Sequence, residues 1–197
     1  CRKGEYSPEE EQSFAPSLCN RIDRNTGGMV IAAKNAEALR EMNRIIKEDL
    51  VSKFYLCAVH GEVKKSGDRL SGYLRKNSRD NLVTVTEQPL PGSKNIITVY
   101  KKLKTKNGLS LLEIELVTGR THQIRAHMAY IGHPLLGDGK YGINRTDRAS
   151  GYKYQALYSY RLRFKDIDGP LSYLSGKEIK VSTDNIWFLK EFEEGNA

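Results

Sequence analysis

Asp23 stands between two arginines in the stretch Asn20-Arg21-Ile22-Asp23-Arg24-Asn25-Thr26-Gly27-Gly28. Cations on both sides hold a carboxylate ionised, the state that a nucleophile or general base needs. A lone Asp in a charged turn is more often a solvated surface feature, so this segment by itself assigns no chemistry. A second dense segment is Leu116-Val117-Thr118-Gly119-Arg120-Thr121-His122-Gln123-Ile124-Arg125-Ala126-His127. It runs from a strand end through a Gly turn into a helix start, where backbone N–H groups favour anions and Arg120 adds a cation. Arg125 lies one turn beyond His122, opposite Ile124, Met128 and Ile131. The spacing predicts that it leaves the core and points toward a carboxylate such as Asp23. A capped helix with solvated basic residues fits the same pattern. The third segment, Lys53-Phe54-Tyr55-Leu56-Cys57-Ala58-Val59, puts Tyr55 on one strand face with Cys57 and Val59. A tyrosine there can stack on a base and offer its hydroxyl, or simply fill the core.

Other chemistries find less support. His122, His127 and His133 lack the spacing of a metal site, and no His-Glu-x-x-His or Cys-x-x-Cys motif accompanies them. We expect no metal and no cofactor. No nucleotide-binding Gly-rich motif is present, and Gly137-Asp138-Gly139-Lys140-Tyr141-Gly142 reads as a structured loop rather than a phosphate cradle. Cys19 lies four residues before Asp23, but nothing in the sequence orients it as a nucleophile.

The elements that would position these residues follow from periodicity. Residues 28–34 have the length and apolarity of a strand. Asn35 is a good N-cap for a helix through residue 50, with Leu39, Met42, Ile46 and Leu50 on its apolar face. Residues 53–63 read as the next strand, an order that allows parallel pairing with the first. Strands are expected at 82–86, 95–103 and 109–117, with Asn107-Gly108 as a type I′ hairpin between the last two. In the last of these, Leu112, Ile114 and Leu116 face inward, and Glu113 and Glu115 face solvent. A helix over 121–131 closes at Gly132. Residues 155–165 alternate again, with Ala156, Tyr158, Tyr160, Leu162 and Phe164 on one side, and 185–192 reads as a short terminal helix. The result is an α+β fold, a mixed and largely antiparallel sheet with a few flanking helices. Residues 1–17 read as a linker or entry segment, and 18–197 as one domain.

The chain has 197 residues, with 32 Lys and Arg against 24 Asp and Glu, for a net charge of +8. Residues 1–20 and 185–197 each carry −2, so the body between them carries 8 + 2 + 2 = +12. A basic body suggests a polyanionic partner, most simply nucleic acid. The longest apolar run, near Met29–Ala33, is far short of the roughly 18 residues that a membrane-spanning helix needs. Three cysteines with no paired spacing suggest a reducing, cytoplasmic compartment. No signal peptide opens the chain. It begins at Cys1 rather than Met and reads as part of a longer protein.

Taken in order, NRIDRNTGG, KFYLCAV and TGRTHQIRAHMAYIGHPLLGDGKYG make the chain resemble the RluA-type pseudouridine synthases over about residues 16–164. The last segment is long and specific. The resemblance implies a pseudouridine synthase catalytic domain over 18–197, without the small N-terminal RNA-binding domain that many relatives carry. It implies isomerisation of uridine in structured RNA, ribosomal or transfer: the N1–C1′ bond breaks, the uracil rotates, and C5 joins C1′. No cofactor or metal takes part. By the same resemblance Asp23 is the catalytic aspartate, Tyr55 the tyrosine beside the uracil, and Arg125 the arginine that pairs with the carboxylate. Arg21 enters the RNA where the target nucleotide flips out, and Arg24, Lys53, Arg120, Thr121, His122 and Gln123 are expected to contact RNA. Asn20 and Gln155 depart from the family, which often has His at both places. Two rival readings remain. A non-catalytic RNA-binding module explains the charge but not an aspartate among arginines. An Asp-dependent hydrolase of a small anionic substrate needs a second acid or base that the sequence does not single out. A monomer is expected, because no long apolar patch stands out.

Overall fold

A computed structural model describes residues 14–77, 80 and 82–194. Most of the acidic entry segment, residues 1–13, lies outside the described residues. The chain forms β1 (Ser17–Leu18), β2 (Gly27–Gly28), β3 (Ala32–Ala33), α1 (Ala36–Lys47), β4 (Val51–His60) and β5 (Gly67–Asn77). There follow β6 (Leu82–Thr86), β7 (Lys94–Lys106), β8 (Leu109–Leu116), α2 (Gln123–Tyr130), α3 (Asn144–Ala149), β9 (Leu157–Phe164) and β10 (Glu178–Lys180). Two 3-10 turns, Gly169–Leu174 and Trp187–Phe192, complete the described elements.

One sheet has the order β10-β9-β4-β8-β7-β5-β6, with β2 added on β9, and a separate ladder joins β1 to β3. Every pairing is antiparallel except β2 with β9. The fold is therefore α+β, as the sequence pattern predicts. The β7–β8 hairpin turns at Asn107 and Gly108, with φ of 51° and 73°, as a type I′ turn requires. Asn35 caps α1, its Oδ1 accepting from the Ala38 N–H at 2.8 Å.

The central strand β4 is buried on both faces, and such a strand reads as a continuous apolar run. Tyr55, Cys57 and Val59 pack with Leu112 and Ile114 of β8 and with Ile124 and Met128 of α2. Phe54, Leu56 and Ala58 pack with Leu111, Tyr160 and the C-terminal Phe188 and Phe192. α1 lays Met42 and Ile45 on Val51, Leu162 and Phe164.

Several expectations are corrected. The predicted strand over 28–34 is broken into β2 and β3. Gly28 has φ 112°, and a Cβ there would sit 2.1 Å from the Ser159 carbonyl oxygen, so the backbone docks edge-on against β9 instead of running on. The parallel partner of this segment is thus β9, and β4 runs antiparallel to both neighbours. Helix α1 ends at Lys47, and its most buried residue is Ile45. The outer face of β8 is not solvated. The C-terminal segment covers it, Leu111 is buried, and Glu113 pairs with Arg161 at 2.9 Å and accepts the Tyr160 hydroxyl. The alternation along β9 breaks at a bulge, because Tyr55 pairs with Ser159 while Phe54 pairs with Arg161. Tyr160 is skipped in the register. Strand β5, too polar to stand out, has no counterpart in the sequence reading.

Candidate active site

The loop 20–28 is held at both ends. Asn20 Oδ1 accepts from the Ile31 N–H at 2.7 Å, and the Met29 N–H bonds the Ser159 carbonyl at 2.9 Å. Between them the Thr26 N–H closes a turn on the Asp23 carbonyl at 3.0 Å, with Asn25 left-handed at φ 67°. Gln155 fixes the far side of the turn: its Nε2 donates to the Arg24 carbonyl at 2.7 Å and to Thr26 Oγ1 at 3.1 Å. Asn20 and Gln155 therefore both brace the loop. The turn leaves the Asp23 side chain 18% exposed, and Arg21 and Arg24 outside in solvent.

Facing the loop is a cleft of about 270 Å³, near the lower end of the size range of ligand sites. Arg21, Asp23, Lys53, Tyr55, Arg120, Thr121 and Gln123 line it, together with apolar Ile46, Ile124 and Leu157. Five predicted site residues thus meet Asp23 and Tyr55 around one cavity, although they lie up to 102 positions apart in sequence (123 − 21). Arg24, His122 and Arg125 stand outside the lining.

Each of these side chains has a local cause for its state. The β9 bulge sits directly opposite Tyr55. Burial raises the pKa of its phenol, a bond from Ser159 opposes this, and the Asp23 charge adds to the rise, so the hydroxyl keeps its proton. Burial pushes the Lys53 ammonium below its ordinary value, against the pull of Asp49. Gln123 is turned inward. Its Oε1 accepts from the Arg120 N–H and the Thr118 hydroxyl, and its Nε2 donates to the Ile97 carbonyl and Thr98 Oγ1, all within 3.1 Å. His127 shares Thr98 Oγ1 at 3.0 Å, and burial lowers its pKa to about 4, so it is neutral. These two polar residues anchor α2 to β7.

Arg125 is buried, not projected from the core, because α2 is enclosed on nearly all sides. It still reaches the loop, with Nη1 at 3.8 Å from Asp23 Oδ2. Its closer partner lies in the loop 137–142, which the sequence pattern marks only as structural. Asp138 is fully buried and takes a bidentate pair from Arg125 Nε and Nη2, both at 2.7 Å. Asp138 Oδ1 also accepts from the backbone N–H groups of Lys140 and Tyr141. Burial works to raise this carboxyl; the bonds and charge of Arg125 outweigh burial and hold it below the usual aspartate value. Tyr141 extends the same network. Its hydroxyl accepts from the Val83 N–H at 3.0 Å and shares a hydrogen bond with His122 Nδ1 at 3.0 Å. His122 is left-handed at φ 54°, and burial chiefly lowers its pKa. No sequence signal marks Asp138: the need for a carboxylate beside Arg125 follows from the burial of that arginine, which only the packing of α2 reveals.

The arrangement presents one partly exposed carboxylate at the rim of an apolar-walled cleft, with a buried cation behind it and exposed cations outside. Such a carboxylate can attack an electrophilic carbon or remove a proton from a flat, polar ligand that the outer arginines deliver. Among the described residues no three His, Cys, Asp or Glu side chains gather closely enough to hold a metal ion. No helix among them is long and apolar enough to cross a membrane.

The chain is similar to known proteins. Residues 1–130 match the family model described as RNA pseudouridylate synthase. An uncharacterised RNA pseudouridine synthase of Mycoplasma genitalium is 38% identical over 159 residues, 79% of this chain and 49% of that protein. The ribosomal large subunit pseudouridine synthase C of Vibrio parahaemolyticus is 38% identical over 134 residues, 68% of this chain and 41% of that protein. The chain thus spans about half the length, or less, of these relatives. Among solved structures, human RNA pseudouridylate synthase domain containing 1 superposes with a TM-score of 0.72 at 26% identity, covering 85% of this chain and 69% of that one.

Proposed function

The chain belongs to the RNA pseudouridylate synthase family, in its RluA-type branch, and from that premise we propose that it isomerises uridine to pseudouridine in structured RNA. The observation that carries the reading is the Asp23 carboxylate at the cleft rim, 3.8 Å from the buried Arg125 and beside Tyr55. A uridine stacked in a stem cannot reach this carboxylate, so it must be extruded, at a cost of a few kcal/mol. Arg21, exposed at the mouth of the cleft, has the planar guanidinium suited to filling the vacated stack. The apolar wall and the Tyr55 ring take the face of the uracil. Asp23 then acts on the nucleotide while N1–C1′ breaks and C5–C1′ forms. The C5 hydrogen leaves to solvent and N1 takes up a proton, so the atoms balance. Lys53, Arg120, Thr121 and the exposed Arg24 supply phosphate contacts, which set affinity rather than sequence choice. Residues 18–197 act as the catalytic domain of a cytoplasmic enzyme that works as a monomer.

Ribosomal and transfer RNA are both candidate substrates, and the name of the Vibrio relative makes large-subunit ribosomal RNA the first to assay. The test is release of tritium from C5-labelled uridine in such transcripts at low salt, comparing the chain with Asp23→Asn. Release that depends on Asp23 supports the reading. Equal release by the variant, or none by a folded protein that binds the RNA, rejects it.

A further inference from the structure

Arg125 is shared unequally between two carboxylates. Its Nε and Nη2 donate to Asp138 Oδ2 and Oδ1 at 2.7 Å each, whereas Nη1 stands 3.8 Å from Asp23 Oδ2. Asp138 is itself fixed by the N–H groups of Lys140 at 2.8 Å and Tyr141 at 3.1 Å. The loop that carries it is seated at Gly137, with φ 72°, where a Cβ would lie 2.2 Å from the Tyr154 carbonyl oxygen. The Tyr141 ring lies 5.3 Å from the guanidinium carbon. A guanidinium gripped along one edge by a fork and flanked by a ring has little freedom to turn.

We propose that Asp138 is a positioning residue for the reaction at Asp23. It holds the Nε–Nη2 edge of Arg125 and with it the plane of the guanidinium, so that Nη1 supports the Asp23 charge from 3.8 Å and the guanidinium does not swing to close on both of its oxygens. This rests on the uridine isomerase reading. A carboxylate that must bond to, or take a proton from, its substrate cannot have both oxygens held in an arginine fork. Arg–carboxylate pairs close into that fork readily when no competitor holds the edge. Asp138 is the competitor, and it is placed where neither solvent nor RNA reaches it.

The test compares turnover and RNA affinity for the wild type, Asp138→Asn, Arg125→Met and the double variant. The amide keeps the shape of the side chain and an oxygen for the two N–H groups, but it sets a donor against Arg125. Turnover (kcat) of Asp138→Asn is expected to fall about 10- to 100-fold, the scale of a misplacement of about 1 Å, with the Kd for RNA within about twofold of wild type. In the Arg125→Met background the same change should cost nothing further, because the two residues act as one unit. A kcat for Asp138→Asn within about twofold of wild type, or losses that multiply in the double variant, overturns the proposal. Should Asp138→Asn fail to fold, Asp138→Glu carries the test. It keeps the charge but moves it by one methylene, so lowered kcat at unchanged Kd supports positioning and wild-type kcat overturns it. Asp23→Asn measured alongside separates the two claims. An active Asp23→Asn removes the isomerase reading itself, whereas an inactive one beside a fully active Asp138→Asn removes only the positioning role.

Discussion

Replacing Arg125 with Met strands the Asp138 carboxylate, which has no exposure to water and would keep only the N–H groups of Lys140 and Tyr141. Removing one partner of a buried ion pair costs about 3–5 kcal/mol. For a chain of this length each kcal/mol moves Tm by about 2–4 °C, so the expected drop at neutral pH is about 6–20 °C. The dependence on pH has a definite sign. In the native protein burial pushes the Asp138 carboxyl up, but the Arg125 bonds and charge win and hold it below its unfolded value. A carboxyl depressed in this way contributes stability at all pH values above its unfolded pKa, and loses it only as pH falls through the folded pKa. The wild-type pair is therefore intact throughout the range from about pH 5 to about pH 8. In the variant, burial acts without the arginine, the carboxyl rises above its unfolded value, and stability falls as pH climbs through that raised pKa. The Tm gap between wild type and Arg125→Met should thus widen from about pH 5 to about pH 8. Adding Asp138→Asn removes the stranded charge and should recover most of the loss at high pH. Calorimetric melts of the three proteins across this range read all of these effects. A drop below about 3 °C, or a gap that ignores pH, would refute the claim that this pair carries stability.

Other perturbations probe the loop, the cleft and the RNA face. Gly28→Ala should cripple turnover, since its Cβ would overlap the Ser159 carbonyl at 2.1 Å and lift the Asp23 loop off β9; Gly132→Ala, at φ 85° with open space around it, should cost only about 1 kcal/mol in a melt and leave turnover intact. Tyr55→Phe loses the bond from Ser159 but keeps the ring, so single-turnover assays should find reduced but measurable activity, while Tyr55→Ala should show none. Arg21→Ala and Arg120→Ala, both at exposed positions on the cleft, should each reduce the slope of log affinity against log salt by about 1 in filter-binding titrations.

Much of this fold is written locally. Asn107-Gly108 determines its hairpin through backbone sterics alone, and Asn35 its helix start through one side-chain bond. The strand at 82–86 and the helix ending before Gly132 stand where periodicity puts them. What local pattern cannot show is which strands meet. The order strand, helix, strand suggested parallel pairing of β2 with β4, but Gly28 hands that role to β9, some 130 residues away. The outer face of β8 looked solvated because its cover, Phe188 and Phe192, comes from the far end of the chain. Only the three motifs taken together single out Asp23, Tyr55 and Arg125 as candidates, and the structure brings these side chains near one another. Taken alone, the segment around Asp23 favours the surface reading. Asp138 stayed hidden because it sits between two glycines in an aperiodic loop, and only tertiary packing reveals that Arg125 is buried and needs it. Gln123, expected to touch RNA, spends its amide inside the fold for the same reason.

The most direct measurement is of the product itself. Ribosomal and transfer RNA transcripts would be incubated at low salt with the chain or with Asp23→Ala, digested to nucleosides, and analysed for pseudouridine by liquid chromatography and mass spectrometry. The RNA affinity of both proteins would be measured in parallel. Pseudouridine is expected from the wild type and none from Asp23→Ala, with RNA binding by both. Pseudouridine formed equally by Asp23→Ala would contradict the role of the carboxylate. RNA bound by the wild type without any pseudouridine would contradict the activity and leave a binding module in its place.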